Sequence, residues 1–152
     1  MRGGVHPDVD GLATGFVACT LSRDAWTHPA HLIVGMWHVD RYGTDDALSR
    51  LRVGIRRLNE SHGTPNSNHD GYHETITRAY TQLLSQYCDV CSADMPLRER
   101  VARLLCSPLA GRDILYMFYS REVLGSVEAR VGWVEPDIAA LRLELIVKES
   151  SN

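Results

Sequence analysis

The sequence predicts an all-α protein, a single-domain helical bundle with a buried central helix at about residues 27–42. Apolar residues recur every three or four positions along most of the chain, which is the period of a helix. Residues 28–39 contain no Asp, Glu, Lys or Arg, and a helix that is apolar around most of its circumference is usually buried. The links between the strongest helical segments are short, which favours antiparallel neighbours in a bundle.

Chain length and charge narrow the class of protein. The 152 residues fit one helical domain over 1–152 and can bury a core. A net charge of -3 without a dense basic stripe argues against a nucleic-acid partner. The longest apolar run, residues 32–37, is too short to cross a bilayer, so no membrane partner is expected. We expect a cytoplasmic protein with no signal peptide, and the sequence leaves its oligomeric state open.

The first two predicted helices are bounded by residues with clear local preferences. An amphipathic helix is predicted over residues 8–21, weakened by two glycines. The central helix follows it. Thr27 is suited to be the N-cap of this helix, and Pro29 is tolerated in its first turn. Gly43 is expected to end it.

Two further long helices complete the predicted core. Thr44 is expected to cap the third helix and Gly63 to close it. Asp70 is expected to cap the fourth helix, after a polar loop rich in turn-forming residues. The pattern then predicts shorter helices at 96–106, 112–118, 120–127 and 136–147, with residues 129–134 also able to extend as a strand.

Three histidines form the sharpest functional signal in the chain. His28 and His31 are separated by three positions in the first turns of the central helix, so they share one face. His73 lies at the start of the fourth helix. If the second and fourth helices run in the same direction, their beginnings meet at one end of the bundle. We then expect the three imidazoles to converge.

Three histidines around an open position are typical of a catalytic metal site. The predicted cofactor is a divalent transition metal, and imidazole suits Zn, Fe, Cu or Ni without choosing between them. Glu74 is the candidate acid or base, or a support for one of the ligands. Two further catalytic candidates are Thr77, expected to line the same site, and Tyr72, expected to donate a hydrogen bond there. The competing interpretation is that each histidine only bonds to a nearby backbone group.

Two short motifs resemble the signature of a family of small bacterial helical proteins that is itself uncharacterised. One is the segment WTHPAHL at residues 26–32, and the other is GYHETIT at residues 71–77. The resemblance covers about half of the chain, from residue 26 to residue 80. It implies that both motifs belong to one site, and it implies no activity.

Three classes of function fit these observations. The first is a small metal-dependent enzyme that acts on a small organic molecule through the three-histidine site. The second is a metal-free enzyme in which a histidine and Glu74 move protons. The third is a non-catalytic helical module that binds a partner protein, with its histidines simply packed. Metal content separates the first class from the other two, and turnover separates the second from the third.

Overall fold

The structure, a computed structural model, describes residues 8–150 and the side chains as far as residue 146. Within this part the chain is all-α, contains no strand, and folds as a helical bundle, so the predicted fold class is confirmed. Its helices are α1 (Val9–Val17), α2 (His28–Tyr42), α3 (Thr44–Ser61), α4 (Glu74–Val90), α5 (Leu97–Leu105), α6 (Arg121–Leu124), α7 (Val127–Val131) and α8 (Leu143–Ser150).

The central helix forms as predicted. The Thr27 hydroxyl accepts a hydrogen bond from the Ala30 N–H at 3.2 Å, and Pro29 sits in the first turn. Gly43 ends the helix with a φ of 78°, a conformation that glycine adopts without a steric cost. Helices α1, α3 and α4 pack around α2. Its core-facing side is made of the buried residues Ala30, Leu32, Ile33, Val34, Gly35, Met36, His38 and Val39.

Helices α2 and α4 run in the same direction, as predicted from the short links. Near their beginnings, the rings of His28 and Tyr80 lie 6.0 Å apart. Towards their ends, the Cys88 thiol donates to the Met36 sulfur at 3.0 Å. Both helices therefore begin at the same end of the bundle, which brings the two histidine-bearing segments near one another.

Helix α3 runs antiparallel to α4, and Thr44 explains part of this packing. Thr44 was expected to be the N-cap of α3, but that prediction is wrong because Gly43 is the N-cap and provides no side-chain bond. The Thr44 hydroxyl instead hydrogen-bonds the Ser85 hydroxyl at 2.6 Å, near the end of α4. Further along α3, Arg52 reaches Glu74 at the start of α4.

The fourth helix begins later than predicted. Asp70 is not its N-cap, because Gly71 adopts a φ of 79° and breaks the helical path. A side chain at position 71 would collide with the Pro65 carbonyl and with Asn66. His73 is the N-cap, and its Nδ1 accepts the Ile76 N–H at 3.1 Å. A histidine predicted to project from the first turn therefore stabilises the helix terminus.

Helix α1 is shorter than predicted. It ends at Val17 and not at residue 21, because Cys19 takes a positive φ of 59° and reverses the chain. The Thr20 N–H then bonds back to the Gly15 carbonyl at 2.8 Å. A second turn at residues 22–26 then connects this segment to the start of α2.

The C-terminal third is divided into shorter pieces than predicted. The α5 prediction is confirmed, with Pro96 as its N-cap. Two 3₁₀ turns follow, Pro108–Ala110 and Ile114–Met117, the second of them within the predicted helix at 112–118. Ser120 and Ser126 each cap a separate short helix, so the predicted helix at 120–127 is split and residues 127–131 are helical rather than extended. Only the end of the predicted 136–147 segment is helical.

No helix in residues 8–150 is both long enough and apolar enough to cross a membrane.

Candidate functional site

A cavity of about 410 Å³ opens between α2, α3 and α4, at the end of the bundle where α2 and α4 begin. Much of its wall is apolar. Gly35 contributes no side chain to the wall, and a Cβ there would press against Leu84. The apolar residues that line the cavity are Trp26, Leu32, Leu51, Ile55, Ile76 and Leu84. The polar residues that line it are Thr27, His28, His31, Thr77, Tyr80, Thr81 and Arg112.

His31 has one ring nitrogen held by the backbone and one left open. Its ring hydrogen-bonds the Thr27 carbonyl through Nδ1 at 2.7 Å, and since a carbonyl only accepts, Nδ1 carries the proton. The ring stacks on Trp26 with centroids 3.7 Å apart. Nε2 makes no hydrogen bond to another described residue and keeps its lone pair. Surrounding protein desolvates the ring and lowers the pKa of His31 below 6.5, so the imidazole is neutral at neutral pH.

His28 ties the start of α2 to the loop that follows α5. Its Nε2–H donates to the Ala110 carbonyl at 3.1 Å. Arg112 lies two residues beyond this anchor and borders the cavity. His28 therefore both lines the cavity and fixes the loop that carries Arg112.

Tyr80 lines the cavity and carries a hydroxyl group. Burial and the nearby Asp113 carboxylate raise the pKa of Tyr80 to about 12, so the hydroxyl stays protonated at neutral pH. It makes no hydrogen bond to another described residue. Tyr80 can therefore donate a hydrogen bond to a ligand in the cavity.

Thr77 was predicted as a site residue, and the structure places it in the cavity wall. Its hydroxyl donates to the His73 carbonyl at 2.8 Å. Thr81, one turn later, donates to the Thr77 carbonyl at 2.7 Å and also lines the wall. Because both hydroxyl protons are used within α4, these oxygens are left to act as acceptors.

Glu74 and Tyr72 lie outside the cavity lining and bind each other. Arg52 donates to the two carboxylate oxygens of Glu74 at 2.8 Å and 2.6 Å. The Tyr72 hydroxyl donates to the same carboxylate at 2.7 Å. The Arg52 guanidinium holds the pKa of Glu74 below its usual range, while burial raises the pKa of Tyr72. This cluster ties α3 to α4 and occupies the proposed acid–base carboxylate with structural bonds.

His73 is also separate from the cavity lining. Its Nδ1 accepts the Ile76 N–H, so the ring proton sits on Nε2, which donates to the Leu124 carbonyl at 2.8 Å. Burial lowers the pKa of His73, in agreement with this neutral form. Both ring nitrogens are therefore engaged, and a metal bound to either would replace a protein hydrogen bond.

The structure brings together two of the three predicted metal ligands. His28 and His31 border one cavity, and His73 does not line it. Among residues 8–150, no group of three or more His, Cys, Asp or Glu side chains is arranged to hold a metal ion. Metal binding by the three histidines stays a prediction.

Arg112 is the charged cavity residue that the sequence patterns did not reveal. It stands in an irregular loop far along the chain from both histidine motifs. No periodicity or motif connects it to them. The turn-forming Pro108 and Gly111 indicate a loop there, but they do not indicate where the loop packs.

Comparison with known proteins found no match: no family model, no curated protein and no solved structure is significantly similar to this chain.

Proposed function

We propose that the cavity binds a small organic molecule and that His31 transfers a proton to or from it without a metal. The observation that carries this proposal is the open Nε2 of His31, on a ring whose Nδ1–H is fixed by the Thr27 carbonyl. A base that is oriented through its second nitrogen is the usual arrangement for proton transfer by histidine. This is the metal-free alternative, with His31 as its histidine and with Glu74 held outside the cavity lining by Arg52 and Tyr72.

The other polar groups of the cavity suit the same chemistry. His31 Nε2 accepts a proton from a carbon or oxygen of the substrate. As negative charge develops on a substrate oxygen, the Tyr80 hydroxyl donates a hydrogen bond to it. The raised pKa of Tyr80 keeps that hydroxyl protonated during the step. The protonated His31 then returns the proton to a second position or to water.

The dimensions of the cavity support a small substrate. Ligand pockets usually measure about 300–1,000 Å³ and combine apolar walls with a few polar groups. At about 410 Å³, this cavity lies at the lower end of that range. Its aromatic and branched aliphatic walls favour a substrate with an apolar body.

Chemical labelling tests whether His31 has an accessible, unprotonated ring nitrogen. Diethyl pyrocarbonate acylates neutral imidazole, and mass spectrometry reports the rate at each histidine. We expect His31 to react much faster than His73 and His38, whose rings are buried. An Ile55→Trp substitution should fill the cavity and slow labelling of the two histidines that line it, His28 and His31, without changing the labelling of His38 and His73. Equal labelling rates at His31 and His73 would contradict the proposal. So would a labelling rate at His31 that is the same in the wild-type protein and in the Ile55→Trp variant.

The reaction itself can be tested with phenylpyruvate, which has an apolar ring and an acidic carbon next to a carbonyl. In heavy water, NMR measures the exchange of deuterium into that carbon. We expect the protein to accelerate exchange and a His31→Gln variant to abolish the acceleration, because the general base is lost. A His69→Gln variant, changed in an exposed loop, is the control. Acceleration that survives in the His31 variant would remove His31 from the mechanism.

The metal-dependent and partner-binding functions remain predictions. Elemental analysis of protein purified without a histidine tag tests the first. Stoichiometric zinc, iron, copper or nickel that is lost in His31→Ala and His73→Ala variants would favour it over the metal-free mechanism. A protein without turnover whose histidine variants lose only stability or partner binding would favour a non-catalytic module.

A further inference from the structure

We infer that the natural ligand of the cavity carries an anionic group, such as a carboxylate, and that Arg112 is the residue that selects it. This inference rests on the proposed function and adds the chemical class of the ligand. It combines the position of one arginine with the composition of the cavity wall.

Arg112 borders the cavity without a carboxylate partner among the described residues. Most other arginines are engaged. Carboxylates pair with Arg50, Arg52, Arg100, Arg103 and Arg142. Aromatic rings lie under Arg41, Arg50, Arg56, Arg78 and Arg121. Arg23 and Arg130 donate to backbone carbonyls. Arg57 and Arg98 have no such partner among the described residues, but none of these four arginines lines the cavity. Arg112 is thus the cationic side chain placed to meet a ligand.

The cavity lining contains no acidic residue that could neutralise Arg112. Asp113 follows it in sequence and acts on Tyr80, but its side chain is not part of the lining. The other polar groups of the lining are hydroxyls and two imidazoles, none of which carries a negative charge. Helices α2 and α4 also begin at this end of the bundle. The partial positive charge of their N-termini adds to the positive charge of Arg112. A negatively charged group is therefore electrostatically favoured in this space.

The apolar part of the cavity wall favours an uncharged, apolar part of the ligand. Leu51, Ile55 and Leu84 offer no hydrogen bonds, so the body of the ligand gains most from being apolar. A planar guanidinium can bind both oxygens of a carboxylate at once. The ligand class that satisfies both requirements is an aromatic or branched aliphatic acid.

Two probes of matched shape test this assignment by titration calorimetry. 2-Naphthoate carries a carboxylate, and 2-naphthamide replaces it with a neutral amide. We expect the wild-type protein to bind the naphthoate about tenfold more tightly, as for one charge-assisted contact near the surface. Arg112→Gln should remove this preference, because the affinity for naphthoate falls to that for naphthamide. Arg57→Gln, a change to an exposed arginine outside the cavity, is the matched control and should retain the preference.

The outcomes separate the two proposals. Equal affinity for both probes, or a preference that survives Arg112→Gln, would overturn the anion assignment while the cavity remained a binding site. If neither probe binds, or if binding persists in a folded Ile55→Trp variant, the proposed function fails as well. Raising the salt concentration should weaken naphthoate binding to the wild-type protein and leave naphthamide binding unaffected.

Discussion

Five histidines in this bundle each have one ring nitrogen bonded to a backbone carbonyl. They are His28, His31, His38, His62 and His73. What distinguishes them is the surroundings of the second nitrogen. His73 uses it to cap a helix, whereas His31, which lines the cavity, makes no hydrogen bond through it to a described residue. The chemistry of each residue is therefore set by its neighbours and not by its type.

The Arg52–Glu74 ion pair makes a residue-scale prediction about stability. Glu74 has a lowered pKa in the folded protein, so its contribution is present above the unfolded value of about 4.5 and is lost as pH falls through the folded pKa. Because Arg52 is partly exposed, we expect Glu74→Gln to cost about 1 kcal/mol at pH 7. The difference from wild type should shrink below pH 4. Urea unfolding at both pH values measures it.

A matched control exists on α3 itself. Asp46 pairs with Arg50 on the surface, where both side chains are about half exposed. Asp46→Asn should cost less than about 0.5 kcal/mol at pH 7, since exposed pairs contribute little. Equal losses for the two variants would show that the Glu74 cluster is no stronger than a surface pair.

At the scale of elements, the start of α4 depends on one imidazole. His73→Ala removes both the cap on the Ile76 N–H and the bond to the Leu124 carbonyl. We expect it to lower the free energy of unfolding by about 2 kcal/mol. His73→Asn should recover part of this loss, because asparagine caps helices well. Chemical denaturation measures both. A His73→Ala variant as stable as wild type would contradict the role of His73 as a cap.

The loop that carries Arg112 depends on its bond to His28. If the inference about Arg112 is correct, His28→Ala should reduce the preference for 2-naphthoate, because the Ala110 carbonyl is released and the loop is no longer fixed. His28→Gln keeps a donor of similar reach and should retain most of it. Calorimetry with the same two probes measures the effect. If the His28→Ala variant keeps the full preference for 2-naphthoate over 2-naphthamide, the loop is held by other contacts.

At the scale of the whole molecule, acid should destabilise the fold through its neutral histidines. Burial lowers the pKa values of His38 and His73. Each binds a proton more readily when unfolded, so stability is full above pH 6.5 and falls as pH drops towards the folded pKa values. We expect a loss of about 1 kcal/mol or more between pH 7.5 and pH 5.5. Urea unfolding at both pH values checks this, and unchanged stability would contradict it.

The sequence predicted the parts of the fold that depend on local patterns. An apolar segment without charged residues predicted α2. The short links between helices predicted the parallel arrangement of α2 and α4. Thr27 was predictable as the N-cap of α2 because threonine is a favoured residue at that position. The failures have local causes that only packing reveals: Gly71 takes a left-handed conformation that delays α4, and Cys19 ends α1 early.

The candidate site was partly predictable for a similar reason. His28, His31 and Thr77 lie on regular helices, so their shared location follows from helix geometry and from the direction of the helices. Arg112 comes from a loop whose position depends on tertiary contacts. The role of His73 depended on a shift of the helix start by a few residues, which sequence patterns resolve poorly.

The stacking of Trp26 on His31 has a practical consequence. An indole emits ultraviolet light whose intensity and wavelength depend on what its face touches. The other tryptophans, Trp37 and Trp133, lie outside the cavity lining. The protein thus carries its own fluorescent sensor, and a change in Trp26 emission can report when the cavity fills without any attached dye.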